Sequence, residues 1–482
     1  MVLKVYNNLT EKLEEFKPIE GNKVKMYVCG LTPQDYAHIG HARTYIAFDV
    51  IKRYLKFRGF EVIHVQNITD VEDKIIAKAK QQGVDPMKLA SRLAAEASKD
   101  LDALGIERAN VYPRVTEHME DIVRLVARLI RRGYAYAVDG DVYFSVRKFP
   151  KYGALSHQSP KQILAGARVE VDERKKDPAD FALWKRAKEG EPSFDSPWGP
   201  GRPGWHIECS AMSMKYLGER LDIHGGAKDL VFPHHENEIA QSEAATGKAP
   251  FVKYWLHTGF LNVAGEKMSK SLGNFITIRD LLEEWDPDVF RLFVVSTHYS
   301  SPIDFSEEVL EQAEKNLARL RNTVVELERQ IKSAAEDEPE TGQDYRGQVS
   351  LIETKFLEAM DNDFNTPQAI VALQDLAKLG NKALSSNARR ESLENIIEEI
   401  RKLAAIIGLS KISGGTTEKV EGLSERAANL IKEREEARKN GNWGKADEIR
   451  DQLKNMGIMV EDTSKGPKWR FDSQSSEIKP EG

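Results

Sequence analysis

The sequence predicts an α/β protein in which a doubly wound, Rossmann-type nucleotide-binding domain with an insertion is followed by an all-α helical bundle and a small C-terminal module. Three observations favour this fold class. A β-rich run near the N-terminus ends in a polar turn and is followed by an amphipathic helix, the unit that opens such a domain. A second strand pattern occupies residues 60–70. Beyond about residue 280 the pattern is largely helical.

The first strand, loop and helix occupy residues 24–55. The strand run ends at Cys29-Gly30, and a turn containing Pro33 follows. The next segment has apolar side chains three and four positions apart, which is typical of an amphipathic helix: Phe48, Ile51 and Leu55. Because ligands of doubly wound domains bind at the carboxyl ends of the strands, the loop before this helix is the first candidate site.

Two histidines, His38 and His41, stand at the beginning of this helix, about one turn apart on one face. A helix N-terminus offers free backbone N–H groups and a partial positive charge, which suits a phosphate in reaction. Gly40 removes the side chain that would keep a nucleotide from the backbone. Histidines that only cap the helix or face water are the simpler alternative.

The second strand pattern, residues 60–70, ends in a polar turn. Thr69 lies at its carboxyl end and becomes a candidate site residue if the sheet is parallel, although capping is the commoner use of such a residue. Residues 110–203 change in character and resemble an insertion between two halves of the domain. Within them an arginine-bearing helix leads into a hairpin that turns near Asp139-Gly140.

The second half of the domain begins near Trp205. Cys209 is expected at the head of a helix, and His224-Gly225-Gly226 in a turn after a short apolar strand. Pro233 is expected to begin a helix that carries His234 and Glu238 four positions apart, on one face.

A metal-ligand set forms if the fold brings the two halves together, and its members are Cys29, Cys209, His234 and Glu238. Two thiolates, one imidazole and one carboxylate suit zinc. The metalloprotease pattern fails, because a second histidine would be needed where Ile239 stands. Two free buried cysteines and a polar helix face remain the alternative.

The segment KMSKS, residues 267–271, is by itself typical of an exposed basic loop. In a protein with the histidine pair, Lys267 and Lys270 could bracket a triphosphate as mobile charges and strengthen their hold as charge develops on the leaving pyrophosphate. A loop of this kind closes on substrate and completes the site only when it is needed.

With 40% hydrophobic and 30% charged residues, the chain has the composition of an ordinary globular protein. Its length of 482 residues predicts about three domains. Its net charge of −6 neither indicates nor excludes a nucleic-acid partner, since local patches decide such contacts. Two cysteines argue against a disulfide framework and fit a reducing compartment. With no apolar stretch of membrane-spanning length, we expect a cytoplasmic protein, or an organelle protein without its leader, and no membrane contact.

Taken together, the motifs resemble the cysteinyl-tRNA synthetases, a family of class I aminoacyl-tRNA synthetases, over nearly the whole chain. The segments that carry the resemblance are YVCGLTP, HIGH, QNITDVEDKI, GWHIECSAM, FPHHENEIAQSE, KMSKS, DFNTPQA, ADEIRDQLKNMGI and GPKWR. Ala227 departs from the family pattern, which usually has a third glycine there. The resemblance implies a ligase that activates L-cysteine with ATP and transfers it to the terminal adenosine of tRNA(Cys).

The resemblance also implies a zinc ion, one per chain, that binds the thiolate of substrate cysteine and is held by Cys29, Cys209, His234 and Glu238. Such a site separates cysteine from serine without an editing domain. The amino-acid pocket would include Thr32, Thr69 and Trp205.

For ATP, which carries Mg²⁺, the implied contacts are His38, Gly40, His41, Gly225, Gly226, Asp229 and Lys270. The implied catalytic residues are His38, His41, Lys267 and Lys270. They would act through positioning and electrostatic stabilisation, without a covalent enzyme intermediate.

The resemblance assigns tRNA binding to the C-terminal part of the chain. The anticodon module there would contain Lys465, Lys468, Trp469 and Arg470. An aromatic side chain among cations suits stacking on an unpaired base, whereas a buried tryptophan beside solvated charges is the alternative. The resemblance also favours a monomer.

The expected domains are the first half of the catalytic domain (1–109), the insertion (110–203), the second half (204–260), the KMSKS and stem-contact region (261–305), a tRNA-binding helical bundle (306–410) and the anticodon-binding module (420–482).

Two other functions remain open at this point. The cysteine:amino-sugar ligase of mycothiol synthesis shares the zinc site and the HIGH-type and KMSKS-type motifs but would not need an anticodon module. A non-catalytic RNA-binding relative should show eroded motifs, and none is eroded. A side activity that makes cysteine persulfide with pyridoxal phosphate on lysines of KIIAK or KMSKS is suggested by resemblance only.

Overall fold

The computed structural model describes residues 2–158, 173–263, 265–267, 274–333, 343–386, 388–409, 412, 425–456, 458–463 and 466–471. In chain order the strands are β1 (Lys4–Asn7), β2 (Lys12–Glu15), β3 (Lys23–Leu31), β4 (Glu61–Ile68), β5 (Ala135–Val138), β6 (Asp141–Phe144), β7 (Phe181–Arg186), β8 (Gly201–Pro203), β9 (Leu221–Ala227), β10 (Val252–Thr258), β11 (Leu261–Val263), β12 (Glu266–Lys267), β13 (Ile303–Phe305), β14 (Ile458–Thr463) and β15 (Gly466–Phe471).

The α-helices are α1 (Ile39–Phe57), α2 (Asp73–Gln82), α3 (Pro86–Ala103), α4 (Met119–Arg131), α5 (Ile207–Leu217), α6 (Glu236–Thr246), α7 (Ile278–Glu284), α8 (Pro287–Val295), α9 (Glu307–Ser333), α10 (Arg346–Asp361), α11 (Thr366–Ser385), α12 (Arg390–Ile406), α13 (Glu425–Lys439) and α14 (Trp443–Asn455). The chain divides into two compact units, of which the first consists of Met1–Ile278, Tyr299–Ile303 and Asp361–Phe364. The domain boundaries expected from the sequence stay a prediction.

At the centre of the first unit lies a four-stranded sheet with the order β10-β9-β3-β4. All of its pairings are parallel, so the carboxyl ends of the strands share one edge. The predicted α/β fold is confirmed, and α1 follows β3 with its apolar face buried. Its buried face includes the predicted Phe48, Ile51 and Leu55.

The segment His224-Gly225-Gly226 was expected in a turn, and that expectation is wrong: it lies inside β9. Gly225 pairs with Val28 of β3 and with Leu256 of β10. A Cβ on Gly225 would lie 2.0 Å from Cζ of Phe48, so the glycine allows α1 to pack closely on the sheet. Close packing, and not turn geometry, explains this residue.

The insertion forms an antiparallel sheet with the order β5-β6-β7-β8, and its first hairpin turns at Asp139-Gly140 as predicted. The apolar run of residues 251–263 forms two strands, β10 and β11, separated at Gly259. A Cβ there would lie 2.1 Å from the carbonyl oxygen of Ser301, so the backbones approach closely at that point.

The second unit is built from helices, as the sequence predicted, with helix α9 packing on α11 and α12. Arg321 of α9 binds two carboxylates at the start of α8, Asp286 at 3.1 Å and Asp288 at 3.0 Å. Helices α13 and α14 are followed by a β-hairpin, β14 and β15, in a region where the sequence indicated a largely helical chain. Two breaks in the helical pattern, near 333–343 and 411–419, are typical of linkers and fall almost wholly outside the described residues.

In the part of the chain that the structure describes, every helix is too short or too polar to cross a lipid bilayer.

Candidate functional site

The histidine pair lies where the sequence placed it, at the N-terminus of α1. His38 is the N-cap residue, and its Nδ1 accepts a hydrogen bond from the backbone N–H of Gly40 at 3.1 Å. The N–H of His38 in turn donates to Nδ1 of His41 at 3.3 Å, which completes a reciprocal capping box. The two rings stack with centroids 3.7 Å apart.

These hydrogen bonds fix the tautomers of both rings. Since Nδ1 is the acceptor in each case, the ring proton lies on Nε2 of His38 and of His41. Burial, together with the charge of His38, lowers the pKa of His41 well below its usual value, so this imidazole is neutral. The helix N-terminus therefore presents an N–H donor from each histidine ring, an arrangement that suits a phosphate oxygen.

The predicted metal-ligand set also comes together. Cys29 lies in β3, Cys209 in α5 and Glu238 in the first turn of α6. His234 lies in the short turn Val231–His235 that precedes α6. Each of the four residues offers one ligand atom, and these four atoms lie within 4.8 Å of one another. All four residues are buried.

The predicted start of the helix is confirmed: within Val231–His235 only Phe232 has non-helical dihedral angles, φ −136° and ψ 132°, so helical backbone begins at Pro233. The regular α-helix α6 continues it from Glu236. The spacing of four brings the side chains together, because Nε2 of His234 lies 3.1 Å from Oε1 of Glu238.

The charges of the set favour a deprotonated Cys209 and Glu238, whereas Cys29 and His234 hold their protons: although burial opposes it, the charge of Cys209 helps to raise the pKa of His234 to about 10. A hydrogen bond with Cys29 lowers the pKa of Cys209, whereas burial raises the pKa of Cys29. Although burial opposes it, the charge of His224 helps to lower the pKa of Glu238 to about 2. A thiolate at Cys209 and a carboxylate at Glu238 are therefore available, and a cation would favour loss of the remaining thiol proton.

The ring orientation of His234 is set from outside the ligand set. Its Nδ1 lies 3.0 Å from Nδ1 of His206, and burial keeps His206 neutral by lowering its pKa well below the usual value. This contact occupies Nδ1 of His234 and leaves Nε2 for an ion. Metal-ligating histidines usually have such a partner on their second nitrogen.

A further layer of histidines, which sequence reasoning did not assign, lies behind this set. Nε2 of His224 lies 2.9 Å from Oε2 of Glu238, and Nε2 of His235 lies 3.3 Å from Sγ of Cys29. The second nitrogen of His235 lies 2.8 Å from Nε2 of His257. Cys29, Glu238, His224 and His235 thus form an overlapping group with metal-ligand geometry. The only sequence signal was the position of His235 beside His234.

Gln241 of α6 ties the two ligand-bearing helices together. Its Nε2 donates to the backbone oxygen of His206 and to Oγ of Ser210, each at 2.9 Å. Since Ser210 follows Cys209 in α5, these bonds fix the distance between the two helices. Helical periodicity alone could not have predicted the contact, because it depends on how the helices pack.

The three residues expected around an amino-acid pocket differ in how exposed they are and in what they contact. The ring of Trp205 lies 4.6 Å from that of His234 and is 37% exposed, so it lies at the surface of the site. Thr69 is buried and its Oγ1 donates to Oε2 of Glu208 at 3.3 Å. Thr32 follows the end of β3 and is half-buried.

The residues expected to contact ATP are placed as follows. Gly225 and Gly226 are buried in β9, and Asp229 is exposed in the short 3-10 turn Lys228–Leu230 that follows it. The backbone of Lys267 ends β12 and pairs with Asn262. Lys270 lies outside the described residues.

Of the residues expected to contact tRNA, Lys468, Trp469 and Arg470 lie in β15, and Lys465 lies outside the described residues. Trp443, which sequence reasoning missed, is 61% exposed at the start of α14. The guanidinium carbon of Arg438 lies 5.8 Å from its ring centroid. A tryptophan among Asn, Gly and Lys in the sequence was the available signal.

Three family models match the chain. Residues 15–315 match the catalytic domain of class I tRNA synthetases (C), residues 355–411 match the DALR domain, and residues 420–470 match the cysteinyl-tRNA ligase anticodon binding domain.

Curated relatives match over almost the full length. The cysteine–tRNA ligase of Geobacillus sp. (strain WCH70) is 50% identical, with 97% of this chain and 99% of the relative covered. The cysteine–tRNA ligase of Geobacillus thermodenitrificans (strain NG80-2) is also 50% identical, with 98% of this chain and 99% of the relative covered.

Among solved structures, methionyl-tRNA synthetase of Mycobacterium tuberculosis in complex with methionyl-adenylate has the same fold, with a TM-score of 0.63 and 18% identity over 81% of this chain and 92% of that one. The motifs, the fold and the full-length matches lead to one conclusion: the chain belongs to the cysteine–tRNA ligase family of class I synthetases.

Proposed function

We propose that this member of the family activates L-cysteine with ATP and transfers it to the terminal adenosine of tRNA(Cys), and that it selects cysteine at a zinc ion. The ion would be held by Cys29, Cys209, His234 and Glu238. The observation that carries the proposal is that these four ligand atoms lie within 4.8 Å of one another in a buried position. One of the ligands belongs to β3, the strand that precedes the histidine pair at the N-terminus of α1.

The donor set fits zinc in three respects. Two sulfurs, one imidazole nitrogen and one carboxylate oxygen are the atoms that zinc prefers. Glu238 is ionised, and contact with His206 leaves Nε2 of His234 available. When bound, zinc supplies a Lewis-acid position that favours a substrate thiolate over a hydroxyl group, which distinguishes cysteine from serine.

The histidine pair stabilises charge at the phosphate. Through their Nε2–H groups at the N-terminus of α1, His38 and His41 donate to the α-phosphate oxygens while the cysteine carboxylate attacks. In the proposed reaction Gly40, Gly225, Gly226 and Asp229 hold the nucleotide, and Lys267 and Lys270 neutralise the triphosphate together with Mg²⁺. Neither the histidines nor the lysines form a covalent bond to the substrate.

Trp205 gives the pocket its outer wall. Its position 4.6 Å from the ring of His234 would cover a cysteine side chain that reaches the metal. Thr69 and Thr32 follow neighbouring parallel strands, where backbone and hydroxyl groups can bind the amino and carboxyl groups of the substrate.

The second unit would bind tRNA, with Lys465, Lys468, Trp469 and Arg470 as the anticodon contacts. The match of residues 420–470 to an anticodon binding domain supports this assignment and argues against an amino sugar as the acceptor. We also propose that the enzyme works as a monomer.

The decisive experiment is ATP–pyrophosphate exchange with cysteine and with serine, on protein whose zinc content has been measured. We expect cysteine-dependent exchange, about one zinc per chain and little exchange with serine. Exchange that persists after complete removal of zinc, with unchanged preference for cysteine, would refute the proposed selection. Charging assays with tRNA(Cys) and with an amino sugar then identify the acceptor.

A further inference from the structure

Glu236 is a buried carboxylate that the proposed chemistry does not use. It is the first residue of α6 and lies two positions before the ligand Glu238. Its side-chain oxygens accept hydrogen bonds from three backbone N–H groups of the insertion: Gly153 at 2.8 Å, Leu155 at 3.0 Å and Ser156 at 2.9 Å. The residue is 0% exposed.

This arrangement is a specific anchor. An ionised carboxylate is costly to bury without hydrogen bonds, and backbone N–H groups that converge on it offset that cost. The helix N-terminus also favours a negative charge at this position. Because all three donors belong to the backbone, the anchor depends on the acceptor at position 236 and on no other side chain.

A second hydrogen bond joins the same two segments, the start of α6 and the insertion. The hydroxyl group of Tyr152, next to Gly153, donates to Oδ1 of Asn237 at 2.5 Å. Two consecutive residues of α6 are therefore fixed to one short segment of the insertion, residues 152–156. At its other side α6 is fixed to α5 by Gln241.

The position of this anchor matters for the metal ligands. His234 lies in the helical turn that leads directly into α6, so its placement depends on how this end of the helix is held. Glu238 lies in the first turn of the same helix. Movement of this end would shift both side chains relative to Cys29 and Cys209, which belong to β3 and α5.

We propose that Glu236 is a positioning residue, which holds His234 and Glu238 in the geometry that binds zinc and selects cysteine, and that it does so by fixing α6 to the insertion. The inference rests on the proposed function, since it concerns the same site. It assigns to the insertion a role in amino-acid selection.

The test uses the full-length enzyme with Glu236→Gln and Glu236→Asp. Glutamine keeps the size but turns an amide N–H₂ group towards backbone donors, whereas aspartate keeps the charge and shortens the reach. The matched control is Glu243→Gln on the same helix, because Glu243 also accepts a backbone bond, from Phe251 at 3.0 Å, but lies at the far end of α6 from His234.

Three quantities are measured: zinc affinity by competition with a chromophoric chelator, the absorption spectrum of the Co²⁺-substituted protein, and the KM values for cysteine and ATP in pyrophosphate exchange. For Glu236→Gln we expect about 10- to 100-fold weaker zinc binding, an altered Co²⁺ spectrum and a raised KM for cysteine, with the KM for ATP unchanged. Glu236→Asp should show a smaller change of the same kind, and Glu243→Gln should match the wild type.

A folded Glu236→Gln protein with wild-type zinc affinity, spectrum and KM for cysteine would overturn the inference, even if its thermal stability were lower. An equal loss in Glu243→Gln would overturn it too, since any loosening of α6 would then suffice. If Glu236→Gln does not fold, the test rests on Glu236→Asp. Wild-type zinc affinity, spectrum and KM for cysteine in that variant would refute the positioning role of Glu236. Failure of the wild type to bind zinc would instead refute the proposed function.

Discussion

Sγ of Cys29 lies 3.8 Å from Oε1 of Glu238, although one belongs to β3 and the other to α6. This contact joins the two halves of the catalytic domain at the metal-ligand set. An ion bound there would hold the strand and the helix together as well as bind substrate. Loss of the ion should therefore affect both the pocket and the local stability of the fold.

The first prediction concerns Cys209→Ser. A hydroxyl group in place of the thiolate removes the ligand whose pKa the site lowers, so we expect zinc binding to fall by about 100-fold or more. Cysteine-dependent pyrophosphate exchange should fall with it, because the thiolate position is lost, while ATP binding stays unchanged. Zinc content, exchange kinetics and ATP affinity are measured on the same preparation. Equal loss of cysteine and ATP binding by a folded variant would contradict the assignment.

The second prediction concerns His41→Ala. The change removes a neutral Nε2–H donor that is half-buried at the N-terminus of α1, and it also removes the acceptor of the His38 N–H. We expect kcat for adenylate formation to fall by about 100- to 1000-fold, with little change in the KM for cysteine. Single-turnover measurement of adenylate formation checks the result.

His41→Gln is the matched variant, because a glutamine amide can still donate to a phosphate oxygen. Its rate should lie between those of His41→Ala and the wild type. If the alanine variant lost only affinity for cysteine, the histidine would belong to the amino-acid pocket and not to the phosphate site.

The third prediction uses His64, a buried residue of β4 that lies outside the proposed site. Its two ring nitrogens have no hydrogen-bond partner among the described residues. Burial, assisted by the charge of Lys52, lowers the pKa of His64 to about 3. In the unfolded chain the pKa is about 6.5, so the unfolded state takes up a proton first as the pH falls.

Stability contributed by neutral His64 is therefore complete above about pH 6.5 and is lost as the pH falls towards 3. At about pH 5.5 the loss amounts to about 1.4 kcal/mol. His64→Leu should reduce the difference in thermal midpoint between about pH 7.5 and about pH 5.5, since leucine takes up no proton. An unchanged pH difference in His64→Leu would show that another group carries it.

Local patterns predicted much of the fold and the site. The strand before Cys29, the helix after His38 and the hairpin at Asp139-Gly140 follow from periodicity, capping and turn chemistry, which act between near neighbours. The ligand set was predictable because zinc accepts few residue types, and this chain has only two cysteines.

The remaining features depend on packing between distant segments. Gly225 appeared to mark a turn, but its role is to admit Phe48 against the sheet. Glu236 and Gln241 looked like ordinary polar helix residues until the insertion and α5 were placed beside them. No periodicity records which backbone N–H groups will converge on a side chain, so these anchors could not be read from the sequence.

The last prediction concerns Trp443, whose exposed ring and nearby Arg438 resemble a stacking platform for an unpaired base. Trp443→Ala should raise the KM for tRNA(Cys) in charging by about 5-fold or more, because stacking on one base contributes about 1–3 kcal/mol. Adenylate formation should be unchanged, since it needs no tRNA. The control is Leu351→Ala, which removes a side chain 58% exposed on α10 and should alter neither reaction. Unchanged charging kinetics in Trp443→Ala would exclude this ring from the tRNA interface and leave the anticodon contacts to β15.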